Sequence, residues 1–186
     1  MPEEMIAPVT QEIGRAVSDF RLTAVGGGIV SLQTLLEGKK GAVVVFWSGV
    51  CSHCVRYDKY LNGFASFHPE LGLAAIASRQ EETPAKLRAT AAARKLLFPI
   101  LHDPGSTVAE QWFTQQTPRV FLIDSSGVLG YRGAIDNYRY PDDLEYVAYL
   151  EPAIAQFLPG KPLSRTETAS FGCAIRSVYY NLPKAL

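Results

Sequence analysis

The sequence predicts an α/β fold, a mixed β-sheet with helices on both faces, and three observations carry that prediction. The run Ala42-Val43-Val44-Val45-Phe46-Trp47 is apolar without alternation, as a central strand covered on both sides must be. Further apolar runs at residues 73–78 and 120–124 are separated by helical patterns, and strands joined through helices pair in parallel. Two turn signals, Gly26-Gly27-Gly28 and Ser125-Ser126-Gly127, each join neighbouring strands into a hairpin, which adds antiparallel edges. A chain of 186 residues is long enough for one well-filled core and short for two.

In order, residues 1–17 read as a polar lead-in with a short helix near residues 11–17. Phe20 to Val25 alternates as a strand, and Ile29-Val30-Ser31-Leu32 returns after the glycine turn. The glycine triplet lacks the Gly-Lys-Ser/Thr ending and the following helix of a phosphate loop, so it reads as a turn. Ser31 caps a short helix through Leu35-Leu36, which Gly38 ends.

Beyond the central strand, Val55, Tyr57, Tyr60, Leu61 and Phe64 form an apolar stripe that predicts one helix over residues 52–67. Pro69 and Gly72 mark a turn before the strand at 73–78. Thr83-Pro84 opens an alanine-rich helix to Lys95, with proline in the first turn where its missing N–H costs nothing. Residues 99–103 are extended, residues 106–112 helical, and residues 128–132 return as a strand. Asp142 or Asp143 starts an amphipathic helix carrying Leu144, Val147, Leu150 and Ile154, and ending near Pro159-Gly160. Residues 161–186 have few periodic apolar positions and read as an extended tail packed on the domain. The organisation is therefore a lead-in (1–17), one domain (18–158) and the tail (159–186).

Composition excludes several classes. Hydrophobic content of 47% with 19% charged residues describes an ordinary globular domain. Eighteen basic residues balance eighteen acidic ones without a basic stripe, so no nucleic-acid partner is expected. No apolar segment approaches the roughly 18 residues of a membrane span. The start, Met1-Pro2-Glu3-Glu4-Met5, lacks the basic-then-apolar layout of a secretory signal. The expected location is cytoplasmic if the chain is full length, and extracytoplasmic if a signal was removed. Three cysteines are too few for a disulfide-stapled scaffold, and a zinc ribbon lacks its second ligand pair. No metal and no separate cofactor is expected.

The chemistry centres on Cys51-Ser52-His53-Cys54. Cys51 follows a strand and should open a helix, where unpaired N–H groups favour a thiolate. It is therefore the expected attacking thiol, partly exposed, with Cys54 facing inward to resolve the mixed disulfide as a Cys51–Cys54 pair. His53 sits between them and, when cationic, stabilises the thiolate. Pro118 in Thr117-Pro118 precedes a strand; a cis bond there would set backbone groups beside the disulfide to hold a partner's extended chain. Arg119 is a candidate for orienting a substrate. Cys173 is either a buried structural cysteine or an extra thiol, the second if the tail folds back over the site.

These residues resemble the thioredoxin superfamily. Phe46-Trp47, Cys51-Ser52-His53-Cys54 and Thr117-Pro118 match its aromatic lead-in, redox motif and cis-proline loop over roughly residues 18–158. The first hairpin, the insertion between Leu71 and Asp103, and the tail Phe171-Gly172-Cys173-Ala174-Ile175 look like the redoxin branch labelled alkyl hydroperoxide reductase/thiol-specific antioxidant. The resemblance implies a thioredoxin-like fold, a redox-active disulfide, and substrate contacts at Trp47, Thr117, Pro118 and Arg119. Val50 and Val45 depart from the family's second aromatic and buried acid. Proton transfer at Cys54 then needs another group, and Glu81, Glu82 and Asp103 are the candidates.

The expected activity is thiol–disulfide exchange with protein disulfides or dithiols, fed by an unidentified electron donor. One alternative is a thiol peroxidase using Cys51 with Cys54 or Cys173; its motif is only partly met, with Ser48 in place but Val44 and Ser52 where prolines belong. A second is a copper carrier using two thiolates and His102.

Overall fold

The structure is a computed structural model describing residues 12–139 and 145–176. Arg21–Ala24 (β1) and Ile29–Ser31 (β2) form the first hairpin. Ser31 then accepts from the Thr34 N–H while Thr34 Oγ1 accepts from the Ser31 N–H, a reciprocal cap that starts Leu32–Leu36 (α1). The valine run becomes Gly41–Trp47 (β3), buried at all seven positions. Ser52–Val55 (α2) and Asp58–Phe67 (α3) lead to Leu71–Ala77 (β4), also buried throughout. Thr83 caps Pro84–Arg94 (α4), and Ile100–His102 (β5) follows. After a 3₁₀ turn come Thr107–Gln111 (α5), Gln116–Thr117 (β6), Arg119–Asp124 (β7) and Leu129–Gly133 (β8). Leu150–Phe157 (α6) and Cys173–Ala174 (β9) complete the elements.

Seven strands form one sheet in the order β2-β1-β5-β4-β3-β7-β8. β3, β4 and β5 run parallel, whereas β1, β2, β7 and β8 join antiparallel. This is the mixed sheet the strand–helix alternation predicts. Side chains alternate across it, giving two cores. Val43, Val45, Trp47, Val120 and Leu122 face α3, α4 and α6, and Cys51 and Cys54 belong to this core. Val44, Phe46, Phe121 and Ile123 face the other side, with Leu32, Val108 and Trp112. The fold is thioredoxin-like.

Three predicted elements differ. The lead-in helix is absent from residues 12–17. Gly14 turns the chain at φ +80°, and the Gly14 and Val17 N–H groups bond to Leu129 and Gly127 of the second hairpin instead. The helix over 52–67 is broken at Arg56-Tyr57, where Tyr57 is buried with its hydroxyl donating to Asp136 at 2.6 Å. The last helix begins at Leu150, not near Asp142 or Asp143, which with Leu144 lie outside the described residues. Val147 is extended because Asn137 holds it: Asn137 Oδ1 accepts the Val147 N–H, and the Asn137 amide donates to the Glu145 carbonyl. Between residues 161 and 176, the described part of the tail, the chain forms no helix and packs along the domain. Thr166 and Thr168 bond to the Arg132 backbone, and β9 pairs with β6.

Candidate functional site

The end of β3 delivers the cysteines. Trp47 closes the strand, Ser48-Gly49-Val50 turns, and Cys51 takes the N-cap position of α2 with an extended backbone. The Cys54 and Val55 N–H groups return to the Cys51 carbonyl, so the motif is a single turn of helix. Thr117-Pro118 is cis and meets this turn from across the sheet, with Cys51 Sγ 3.4 Å from the Thr117 carbonyl oxygen.

Cys51 is disulfide-bonded to Cys173, with Cα atoms 5.9 Å apart, and Cys54 is a free buried thiol. This corrects the expected partial exposure of Cys51, which is 0% exposed. The physical reason is the tail. Cys173 pairs with Thr117 in the β6–β9 ladder, Gly172 crosses the Thr117 carbonyl, and Phe171 packs edge-on against the His53 ring at 5.0 Å. Of the two readings of Cys173, the tail folding back over the site is the one realised. The expected Cys51–Cys54 bond is not the one formed; it would be a disulfide isomer of the same three sulfurs at the same oxidation level.

Beneath the turn lie groups that respond to Cys54. Burial pushes its thiol up from 9.0 to about 12, and the Glu82 carboxylate adds to the rise, while hydrogen bonding to Ser48 and Thr117 and the charge of Arg94 oppose it. Glu82 is 3% exposed, and its own pKa is raised by burial. One carboxylate oxygen accepts the Gly49 N–H at 2.6 Å, and the other has no hydrogen-bond partner among the described residues. Arg94 donates to the Gly49 carbonyl at 2.7 Å and grips Asp58 with two bonds of 2.6 and 2.7 Å, tying α4 to the turn and to α3. The other proposed acids are spent elsewhere. Asp103 accepts from Ser78 and caps the Val108 and Ala109 N–H groups, while Glu81 is exposed near Arg79.

The remaining predicted residues divide. Thr117, Pro118 and His53 meet the cysteines, and the His53 Nδ1 has no hydrogen-bond partner among the described residues. Trp47 lies on the cysteine side but is fully buried against Phe98 and Arg94, presenting no surface in this state. Arg119 is not brought to the cysteines. It follows the alternation to the opposite face, with its guanidinium over Phe121, and burial followed by the nearby Arg132 charge lowers its pKa. Among the described residues, no group of three or more His, Cys, Asp and Glu is placed to hold a metal. Arg94 and Asp58 went unseen in the sequence; 36 residues separate them and no motif links them.

Raised pKa values have a consequence for stability. Cys54 and Tyr131 are both shifted by burial to about 12, from 9.0 and 10.0. Above these ordinary values the unfolded chain releases protons the folded chain retains. Their contribution is therefore whole at neutral pH and is lost as pH climbs towards 12. The urea midpoint should fall between pH 7 and about pH 10.5, less steeply in Cys54→Ala than in the parent.

No curated protein matches this chain. Among solved structures, a hypothetical protein from Sinorhizobium meliloti is 29% identical with a TM-score of 0.79, covering 88% of this chain and 93% of its own. An uncharacterized conserved protein from Geobacillus kaustophilus is 24% identical at a TM-score of 0.81, covering 91% and 94%. A putative thiol:disulfide interchange protein DsbE from Chlorobium tepidum shares the fold at 18% identity and a TM-score of 0.63, covering 79% and 98%. The AhpC/TSA family model matches residues 13–132, from the lead-in turn through the cysteines and cis-proline to the second hairpin. This chain belongs to the AhpC/TSA family.

Proposed function

We propose that the protein is a thiol–disulfide oxidoreductase that exchanges disulfides with protein partners through Cys51. The observation that carries this reading is one sulfur flanked by two others: Cys51 is bonded to Cys173 of the tail and lies three residues from the buried thiol of Cys54. Glu82 takes the Cys54 proton, and the Cys54 thiolate attacks Cys51 Sγ. The Cys51–Cys173 bond breaks, a Cys51–Cys54 bond forms, and Cys173 leaves as a thiolate that takes up a proton. No net oxidation occurs in this step; the disulfide moves inward. In the reduced protein, Cys51 attacks a partner's disulfide to form a mixed disulfide, and Cys54 then releases the partner as a dithiol. His53 beside Cys51 favours its thiolate.

The test is reduction of a protein disulfide by the prereduced chain, followed by peptide mapping without reductant. One disulfide formed per substrate disulfide opened, and a Cys51–Cys54 bond in Cys173→Ser, support the reading; a Cys51 inert towards protein disulfides sinks it. Glu82→Gln should slow the Cys54 step roughly 10- to 100-fold at neutral pH and steepen its rise with pH, because general-base assistance is lost. A rate unchanged across pH removes Glu82 from the relay.

The Cys51–Cys173 pairing also favours a second reading, hydroperoxide reduction. Cys51 thiolate attacks the peroxide, leaving a sulfenic acid and an alcohol, and the Cys173 thiol condenses with it to give the disulfide and water. Stopped-flow peroxide consumption separates the two readings.

A further inference from the structure

The tail docks as a partner would, so its residues record what the site accepts. Cys173–Ala174 adds to Gln116–Thr117 as an antiparallel strand, with Thr117 opposite Cys173 and Gln116 opposite Ala174. The Ile175 N–H donates to the Gln115 carbonyl at 2.9 Å, extending the ladder beyond the paired residues. These backbone bonds suit any extended chain; the side chains on either side of the cysteine are constrained.

One residue before the cysteine, a Cβ on Gly172 would collide with the Thr117 carbonyl, so that position admits only glycine. Two residues after it, Ile175 is 4% exposed, seated against the core that contains Val108 and Ala109. The cavity around it, about 450 Å³, is bordered by Ser106, Glu110, Phe113 and Thr114. Three residues after it, Arg176 pairs with Glu110 and donates to the Gly105 carbonyl. Two residues before it, Phe171 lies against His53.

We infer that the site selects partner proteins whose reactive cysteine lies in an extended segment of the form aromatic-Gly-Cys-x-aliphatic-basic, with the tail as a tethered occupant of the same groove. This rests on Cys51 being the exchanging thiol. A partner segment displaces the tail after Cys173 has been released, pairs with β6, and presents its cysteine sulfur to Cys51 where Cys173 Sγ now sits.

The experiment uses the full chain carrying Cys54→Ser and Cys173→Ser, leaving Cys51 as the one thiol. Each peptide is supplied as a mixed disulfide with glutathione. Cys51 thiolate attacks the peptide sulfur, the peptide–glutathione bond breaks, a Cys51–peptide bond forms, and glutathione leaves as a thiol. The probe is Phe-Gly-Cys-Ala-Ile-Arg, compared with versions carrying Ala for Gly, Asp for Ile, or Glu for Arg. The competing tail is the same in every assay. The probe should react at least roughly tenfold faster than the Ala and Asp versions, since the first adds a Cβ that meets the Thr117 carbonyl and the second replaces a buried apolar contact with a charge. The Glu version should be slower in this background and recover when Glu110→Lys is added. Equal rates for all peptides overturn the selectivity while leaving Cys51 a working exchange thiol. No reaction with any peptide, or with oxidised glutathione alone, overturns the exchange reading itself. A Cys51–Cys173 bond found between two copies of the parent chain assigns the groove to a second copy and overturns the partner assignment.

Discussion

Cys51→Ser is expected to abolish exchange, lowering the rate of protein-disulfide reduction to below roughly one-thousandth of the parent. A serine hydroxyl stays protonated at neutral pH and cannot form the mixed disulfide. The fold should survive, because the substitution is nearly isosteric and Cys51 caps α2 through its backbone rather than its side chain. Cys173 and Cys54 should not rescue the rate. Cys173 would lose its partner at the cis-proline, and Cys54 is held protonated by burial, with its pKa raised to about 12. Insulin reduction followed by turbidity, with far-ultraviolet circular dichroism as the fold control, checks this. A variant retaining a tenth of the activity would place the attacking thiol elsewhere.

Phe121→Ala is expected to be strongly destabilising, costing about 3–5 kcal/mol. Phe121 is fully buried on β7, with its ring 5.6 Å from Phe46 and 5.0 Å from Trp112 in edge-to-face contacts. A domain of this size has only about 5–15 kcal/mol in total, so the loss is a large share. The effect should also reach the site. Phe121 lies three residues after Pro118, and β7 carries the cis-proline loop against β3, opposite Val44. Urea denaturation should show the midpoint falling with little change in slope. A loss below about 1 kcal/mol would mean the aromatic cluster repacks around the gap.

Much of the fold was legible in the sequence because its strongest signals are local. The valine run could only be a doubly covered strand. Ser31 and Thr83 each cap the helix the sequence assigns to them. What failed depended on partners distant in the chain. Nothing local tells Tyr57 that Asp136 waits for its hydroxyl, so an apolar stripe continuous through Tyr57 concealed the helix break. Asn137 holds Val147 extended by a bond across ten residues, against the helical spacing of Val147, Leu150 and Ile154.

The site divides in the same way. The Cys-x-x-Cys spacing and the Thr-Pro dipeptide located Cys51 at the start of α2 and the cis loop beside it. Arg119, by contrast, belongs to the opposite face because strand alternation overrides its nearness in sequence to Pro118. Glu82 could be named as one of three acids, but only the tertiary structure distinguishes it. Asp103 is occupied by a helix cap, Glu81 faces solvent, and Glu82 lies under the Ser48-Gly49 turn with one oxygen unpaired among the described residues. The covering of Cys51 was hardest to foresee. A tail with few periodic apolar residues docks through backbone pairing, the Cys51–Cys173 disulfide and scattered side-chain contacts, among them Phe171 on His53, the buried Ile175 and the Arg176–Glu110 pair.

The account requires that one sulfur be shared between two partners, and disulfide mapping of the parent chain across a glutathione redox series tests this most directly. As the buffer becomes more oxidising, Cys51 should be found bonded to Cys54 and to Cys173 in proportions that interconvert, with no Cys54–Cys173 bond. Cys173→Ser should shift all oxidised protein to Cys51–Cys54. A Cys51–Cys173 bond that forms alone, never exchanges with Cys54 and resists glutathione throughout would contradict the account and leave that bond a structural clasp.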